Sequence, residues 1–232
     1  EQFPGLIFKN DIHKFSALLF SSGKIICTGT KSLREAKIAI DVIIKKLKAI
    51  GINADVASLF ELKLALKVGF NKIIFTGPAK TDKEIKLAVK NRRRVILNID
   101  NFDELGGILR IAGLQNKKTP LGVGLRVDAG NTTAKKWSKF GFRIDELKTA
   151  VKIIKGNKQL MWEGLHFHSS WNDTPESYVQ SIIAISKYLG DNFSRDELNS
   201  IKFLDIGGGF LPEGNMPLFG SSYKGIFLEI AS

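Results

Sequence analysis

The chain has 232 residues, 44% of them hydrophobic and 25% charged, with a formal net charge of +12; these are globular proportions, with enough apolar side chain for a core, and they exclude global disorder. No apolar run approaches the ~20 residues of a membrane helix, no opening stretch reads as a secretory signal, and the lone Cys27 excludes a disulfide framework or a cysteine-based zinc site and fits a reducing, cytoplasmic setting. The basic excess is densest in the first fifty residues, which favours either a polyanionic partner there or a solvated lysine-rich surface, and a start at Glu1 without Met leads us to expect a fragment or an excised piece.

Residues 3–9, 14–20 and 24–30 are short runs rich in aromatic and β-branched residues, separated by Asn10–His13 and Ser21–Gly23. That spacing predicts an antiparallel meander. Ser32 and Glu35 then form a capping box, Ala36, Ile40, Ile43, Ile44 and Leu47 recur at helical spacing, and Gly51 ends the helix. From residue 53 strands alternate with helices. The strands are predicted over 54–58, 72–76, 94–99, 121–127, 161–168 and 201–206, and the helices over 59–68, 82–91, 103–112, 145–154 and 175–189, with cap residues at Thr81 and Ser194. Alternation implies a parallel sheet, because parallel neighbours need crossovers; a barrel and a doubly wound sheet both satisfy it. Counting 24–30 as a strand of the same sheet gives seven candidates against the eight that close a barrel. The expected fold is α/β: an incomplete (β/α) TIM-like barrel over residues 52–232, preceded by a domain of antiparallel β-meander plus helix over 1–51.

In the first pattern, Phe3 and Phe20 fall on strands expected to be neighbours, and Leu6, Leu18, Ile26 and Thr28 are expected to share one face with them, ringed by Lys9, Lys24 and Lys31. Such a face suits a DNA minor groove, where apolar wedges unstack base steps and lysines neutralise phosphates. The same phenylalanines would equally serve as core. The succession E-Q-F-P-G-L-I-F-K, then S-A-L-L-F-S-S-G-K-I-I-C-T-G-T-K, then a long basic helix resembles the end of the second repeat of an archaeal-type TATA-box-binding protein. The resemblance covers residues 1 to about 50. It implies that Phe3 and Phe20 occupy the wedge positions of one repeat and Thr28 that of a minor-groove hydroxyl. Only half a repeat is present, so the expectation is weak, electrostatic DNA binding.

In the second pattern, D-I-G-G-G-F (205–210) follows an apolar strand, and consecutive glycines there leave backbone N–H groups open to a phosphate. G-L-H-F-H (164–168) puts two histidines on one face of a strand. They read as a metal pair, as a flat surface against an aromatic cofactor, or as satisfied core histidines; no third ligand pattern supports metal. These two motifs follow A-D-V-A-S-x-x-E-L (54–62), I-I-F-T-G-P-A-K (73–80), G-L-R-V (124–127) and S-K-F-G (138–141). In that order the six resemble the barrel domain of the fold-type-III, pyridoxal-phosphate-dependent decarboxylases acting on diaminopimelate, ornithine and related amino acids. The resemblance implies that pyridoxal 5'-phosphate is held at the strands' C-terminal ends. Gly207, Gly208 and Gly209 would cradle its phosphate, His168 would stack on its ring, and Asp55, Glu61 and Arg126 would line the site; helix capping for Asp55 and Glu61 and a surface pair for Arg126 are the alternatives. It also implies an amino-acid substrate and a homodimer.

The chain departs from the family's pattern in S-S-W-N at 169–172 and in the strand before Asp55 that should carry the Schiff-base lysine. A helix of the first pattern stands there, and the family's later segments would fall beyond Ser232. The reading is therefore a chimera whose decarboxylase (lyase) half binds the cofactor but is catalytically incomplete. Lys31 is the replacement Schiff-base candidate, if 24–30, the helix and 54–58 form one β-α-β unit.

Overall fold

Two backbone rhythms produce two separate sheets. The structure, a computed structural model, describes residues 5–11, 14–20, 25–49, 51–115, 118–128, 140–168 and 176–207. It divides into two compact units, one containing Glu1–Ile52, the other Asn53–His168 and Gln180–Gly207.

In the first unit β1 (Gly5–Asn10), β2 (Phe15–Phe20) and β3 (Ile25–Thr28) form an antiparallel sheet in that order, followed by α1 (Leu33–Ala49). The capping box forms as the sequence requires: Glu35 N donates to Ser32 Oγ at 3.2 Å, and Lys31 N donates to Glu35 Oε2 at 2.6 Å. Buried Phe15, Ala39 and Ile43 make a small core, with Val42 and Leu47 packed against it. Two expectations are corrected. Leu6 pairs with Leu19, and it is Ile7 that stands opposite Leu18; the strand's period of two therefore moves Leu6 off the register row of Leu18 and Phe20. Residues 24–30 do not enter the parallel sheet. Among the described residues β3 pairs with β2 alone, antiparallel, as the third strand of the expected meander. The β-α-β premise behind Lys31 is thereby lost.

The second unit runs β4 (Ala54–Val56), α2 (Leu59–Val68), β5 (Ile73–Phe75), α3 (Asp82–Lys90), β6 (Val95–Ile99), α4 (Phe102–Gly113), β7 (Leu121–Asp128), β8 (Phe142–Arg143), a 3-10 turn at Ile144–Glu146, α5 (Leu147–Lys155), β9 (Leu160–His166), α6 (Glu176–Asn192), α7 (Arg195–Asn199) and β10 (Phe203–Asp205). Its sheet is parallel throughout, in the order β4-β5-β6-β7-β9-β10, with β8 added to β7. Successive strands are neighbours and the order never reverses. A doubly wound sheet reverses at a switch point, so this is an arc of a barrel. β6 is buried at all five positions, as a strand covered on both faces must be.

The predicted strand 54–58 is shorter than expected because Ser58 leaves it to cap α2, its side chain accepting from Glu61 N. Thr81 and Ser194 form capping boxes at α3 and α7. On β9 a close approach requires glycine: a Cβ on Gly164 would stand 2.5 Å from a ring carbon of Phe203, so the missing side chain seats that ring. The sequence shows no sign of the two-residue β8 and only the capped start of the five-residue α7 at Ser194, since neither is long enough to show a period.

Candidate functional site

A parallel sheet delivers all its strand C-termini to one end. Here β4 brings Asp55, β5 leads to Thr76, β6 carries Asn98 and leads to Asp100, β7 carries Arg126, β9 ends in His166 with His168 two residues on, and β10 ends in Asp205 just before Gly207.

Asp205 is the hub. Its Oδ1 accepts from Gly207 N at 2.9 Å and its Oδ2 from Asn98 Nδ2 at 3.2 Å. His166 Nδ1 lies 2.9 Å from the same Oδ2, off the line of a good hydrogen bond. Burial raises the Asp205 carboxyl, but His166, the Gly207 N–H and Asn98 outweigh it and hold the group below the usual carboxylate range. The alternate spacing of the histidines gives one shared face, with rings stacked at 6.4 Å between centroids and 23° between planes. His166 is buried and held by Asp205, while His168 is the exposed member.

Arg126 Nη1 stands 3.6 Å from Asp100 Oδ1, and its guanidinium lies 5.0 Å from the Phe140 ring centroid. Burial pushes the Asp100 carboxyl up and the Arg126 guanidinium down, and their mutual attraction opposes both shifts. Asp55 accepts from Thr76 Oγ1 at 2.8 Å; desolvation among the strand ends raises its carboxyl, the Thr76 bond opposes this, and the charge of Asp205 adds to it.

Beneath these groups Lys80 Nζ donates to Asn98 O at 2.5 Å and to Glu104 Oε1 and Oε2 at 3.2 and 3.3 Å. Glu104 also accepts from the backbone N–H groups of Lys80 and Asp100 at 3.0 and 2.8 Å. One buried carboxylate thus ties together the segments after β5 and β6.

The structure brings Asp55, Arg126, His168 and Gly207 to one end of one sheet, all within the electrostatic reach of Asp205. Glu61 is engaged as a helix cap, its Oε2 accepting from Ala57 N at 2.7 Å. Gly208 and Gly209 lie outside the described residues, as do Phe3 and Lys24; only the backbone of Phe20 is described. Lys31 belongs to the other unit and is exposed, as are Lys9 and Thr28, whose hydroxyl donates to Ser16 O at 3.3 Å. Sequence reasoning missed Asn98, Asp100, Lys80, Glu104 and the role of Asp205. Among the described residues no three of His, Cys, Asp and Glu gather into a metal set, and no helix is long and apolar enough to cross a membrane.

Partial desolvation of the ring among the strand ends, then Arg126 and His166, lower the His168 pKa from its ordinary 6.5, against Asp205. The unfolded chain therefore binds this proton first, and His168 withdraws stability as pH falls from 6.5 towards its folded value. NMR titration of the imidazole should give a midpoint below 6.5, moving up in Arg126→Gln and further down in Asp205→Asn.

The site also meets a simple test of fit for a phosphorylated cofactor. Gly207 has φ +72°, and a Cβ there would stand 2.4 Å from His168 Nδ1, so the position admits only glycine beside the exposed ring. Among the described residues Asn98 Oδ1 is buried with no hydrogen-bond partner. An arc of parallel strands with an imidazole surface, a guanidinium and a glycine turn at their C-terminal ends is a cofactor-binding (β/α) barrel in architecture. Residues 37–216 match the family described as "Pyridoxal-dependent decarboxylase, pyridoxal binding domain", and the chain belongs to that family.

Residues 1–50 match a second family, "Transcription factor TFIID (or TATA-binding protein, TBP)", so both families claim residues 37–50, a stretch that includes most of α1. The chain is 28% identical over 187 residues to a diaminopimelate decarboxylase of Aquifex aeolicus, covering 75% of this chain and 44% of that protein. It is 55% identical over 53 residues to a TATA-box-binding protein of Methanocaldococcus jannaschii, covering 23% of this chain and 29% of that one. A solved diaminopimelate decarboxylase from Helicobacter pylori, complexed with L-lysine, has the same fold, with a TM-score of 0.63 at 23% identity over 83% of this chain and 51% of that one. The chain spans less than half the length of the curated decarboxylases it matches.

Proposed function

We propose that residues 53–207 form the pyridoxal 5'-phosphate site of an amino-acid decarboxylase acting on diaminopimelate or a related basic amino acid. The observation that carries this reading is the exposed His168 ring beside the left-handed Gly207, with Arg126 and Asp55 at the same strand ends. The glycine turn at Gly207, with Gly208 and Gly209, would receive the phosphate, and His168 would cover one face of the ring. The stacked pair gives that face a fixed plane, and Asp205 fixes His166 behind it. Arg126 and Asp100 place a cation and an anion at the rim. When bound, the cofactor supplies the electron sink that stabilises a carbanion, and a lysine is needed to hold it covalently. Lys80 stands at this end of the sheet, but its ammonium is committed to Glu104, so it is not that lysine. Catalytic incompleteness, assembly as a homodimer and a cytoplasmic site of action belong to the same proposal.

Titration with pyridoxal 5'-phosphate followed by absorbance should show saturable binding that His168→Ala weakens. Borohydride reduction and peptide mapping then find any lysine with which the cofactor has condensed. Label confined to Lys31 and abolished in Lys31→Ala makes it the attachment residue. Label scattered over surface lysines, together with no saturable binding, refutes the site.

The match of residues 1–50 supports a second proposal, that the first unit binds duplex DNA weakly and electrostatically. Each neutralised phosphate should then contribute about −0.9 to the slope of log affinity against log salt. Phe3→Ala and Phe20→Ala should change little; selective loss of binding to a TATA duplex in either variant would instead establish minor-groove insertion.

A further inference from the structure

The opposite end of the parallel sheet carries chemistry that the cofactor reading does not use. Residues 90–94 read Lys-Asn-Arg-Arg-Arg and join the C-terminus of α3 to the start of β6. Together with Lys118 and Thr119, just before β7, they line a cleft of about 480 Å³. An adjoining cavity of about 330 Å³ shares Arg92, Arg93, Arg94 and Thr119 and adds Lys72 and Lys202, the residues immediately before β5 and β10.

The charge in this region is unbalanced. Lys202 has a counterion, Glu163 Oε1 at 2.6 Å. Among the described residues Lys72, Lys90, Arg92, Arg93, Arg94 and Lys118 have no carboxylate at ion-pair distance. Arg92 is 8% exposed, yet its acceptors are all neutral: Val89 O at 2.9 Å, Thr119 O at 3.0 Å, Gln159 Oε1 at 3.2 Å and Gln115 Oε1 at 3.5 Å. Burial lowers its pKa and no acid opposes the shift. Arg94 Nη2 donates to Leu66 O at 3.1 Å, another neutral acceptor. A desolvated cation without a counterion is unfavourable, and three consecutive arginines compound the repulsion. Carbonyls hold the guanidinium groups of Arg92 and Arg94 in place, while Arg93 and Lys118 stand exposed at the rim.

Preorganised guanidinium groups in a concave basic cleft recognise phosphate; none of the described residues lining the first cleft is acidic, and Glu163 in the adjoining cavity is already paired with Lys202. None of the described lining residues is aromatic, so the stacking platform that single-stranded nucleic acid uses is missing from them. The cleft has the volume of a small-molecule site. It is also remote from His168: the eight residues of β7 alone put roughly 23 Å between the two ends of the sheet. The geometry points to a second binding site, at the N-terminal ends of the strands, for a compact polyphosphate of two or three phosphate groups.

The test is calorimetric titration of the whole chain with inorganic tripolyphosphate, comparing wild type with Arg93→Ala/Lys118→Ala. Both residues are exposed, so the fold should survive; thermal melting and the pyridoxal phosphate titration check this independently. The expected result is saturable binding that weakens with salt, falls about tenfold or more in the double variant, and leaves pyridoxal phosphate binding unchanged. Equal affinity in the double variant overturns the proposal. So does affinity for oligonucleotides that keeps climbing with their length, which identifies an extended nucleic-acid surface in place of a compact site.

Discussion

Replacing Glu104 with Ala is expected to destabilise the parallel-sheet unit by about 3–5 kcal/mol, the penalty for leaving one partner of a buried ion pair without the other. The Lys80 side chain is wholly buried and that of Glu104 nearly so. Without the carboxylate, the ammonium keeps Asn98 O, the ring of Phe75, whose centroid is 5.3 Å away, and the attraction of the Asp100 and Glu84 charges. Two backbone N–H groups, of Lys80 and Asp100, lose their acceptor as well. The pH dependence separates the charge from the packing. Burial already lowers the Lys80 pKa below 10.5, against Glu104; with Glu104 gone the folded value falls further. Between that value and 10.5 the unfolded chain binds more protons than the folded one, so stability rises with pH. Urea titrations should therefore show a defect that is largest near neutral pH and shrinks under alkaline conditions. Lys80→Met/Glu104→Leu should recover most of the loss, short of the two orphaned N–H groups. A defect under about 1 kcal/mol at pH 7 would show that the pair contributes little to this fold.

That ion pair also marks the limit of what the sequence discloses. Lys80 closes I-I-F-T-G-P-A-K and Glu104 lies in the first turn of α4, where an acidic residue is most simply read as helix-dipole chemistry. Nothing in the linear pattern joins them. A readable signal did exist nearby: Asn98 is a polar residue inside the wholly buried strand V-I-L-N-I, and a buried polar group must have a partner. Asp205 was passed over for the same reason, because the glycines after it drew the chemical interpretation. The elements with strong periodicity and caps were legible, α2 to the residue and α3 and α4 to within a residue or so at either end. What failed was a double reading: 24–30 served both as the third strand of the antiparallel meander and as a candidate for the parallel sheet, and β3 takes the first place, beside β2. The same ambiguity explains α1. A basic amphipathic helix ending near a glycine satisfies both families, which is why residues 37–50 answer to both.

Gly207→Ala is expected to weaken pyridoxal phosphate binding by at least about tenfold, through two separable effects. The first is backbone strain, since φ +72° is a left-handed conformation that costs an alanine roughly 1 kcal/mol. The second is contact: the new Cβ would stand 2.4 Å from His168 Nδ1 and 3.0 Å from Phe167 O. Relief requires rotating the imidazole or moving the turn. Either change displaces the ring face or the Gly207 N–H that now donates to Asp205. Gly51→Ala is the control, because Gly51 has φ +84° and a Cβ there meets nothing within 4 Å among the described residues. It carries the strain without the contact, so it should lower thermal stability comparably and leave cofactor affinity as in wild type. If Gly207→Ala binds the cofactor as tightly as Gly51→Ala does, the turn after β10 does not form the phosphate cradle, and the pyridoxal site must be sought elsewhere on the sheet.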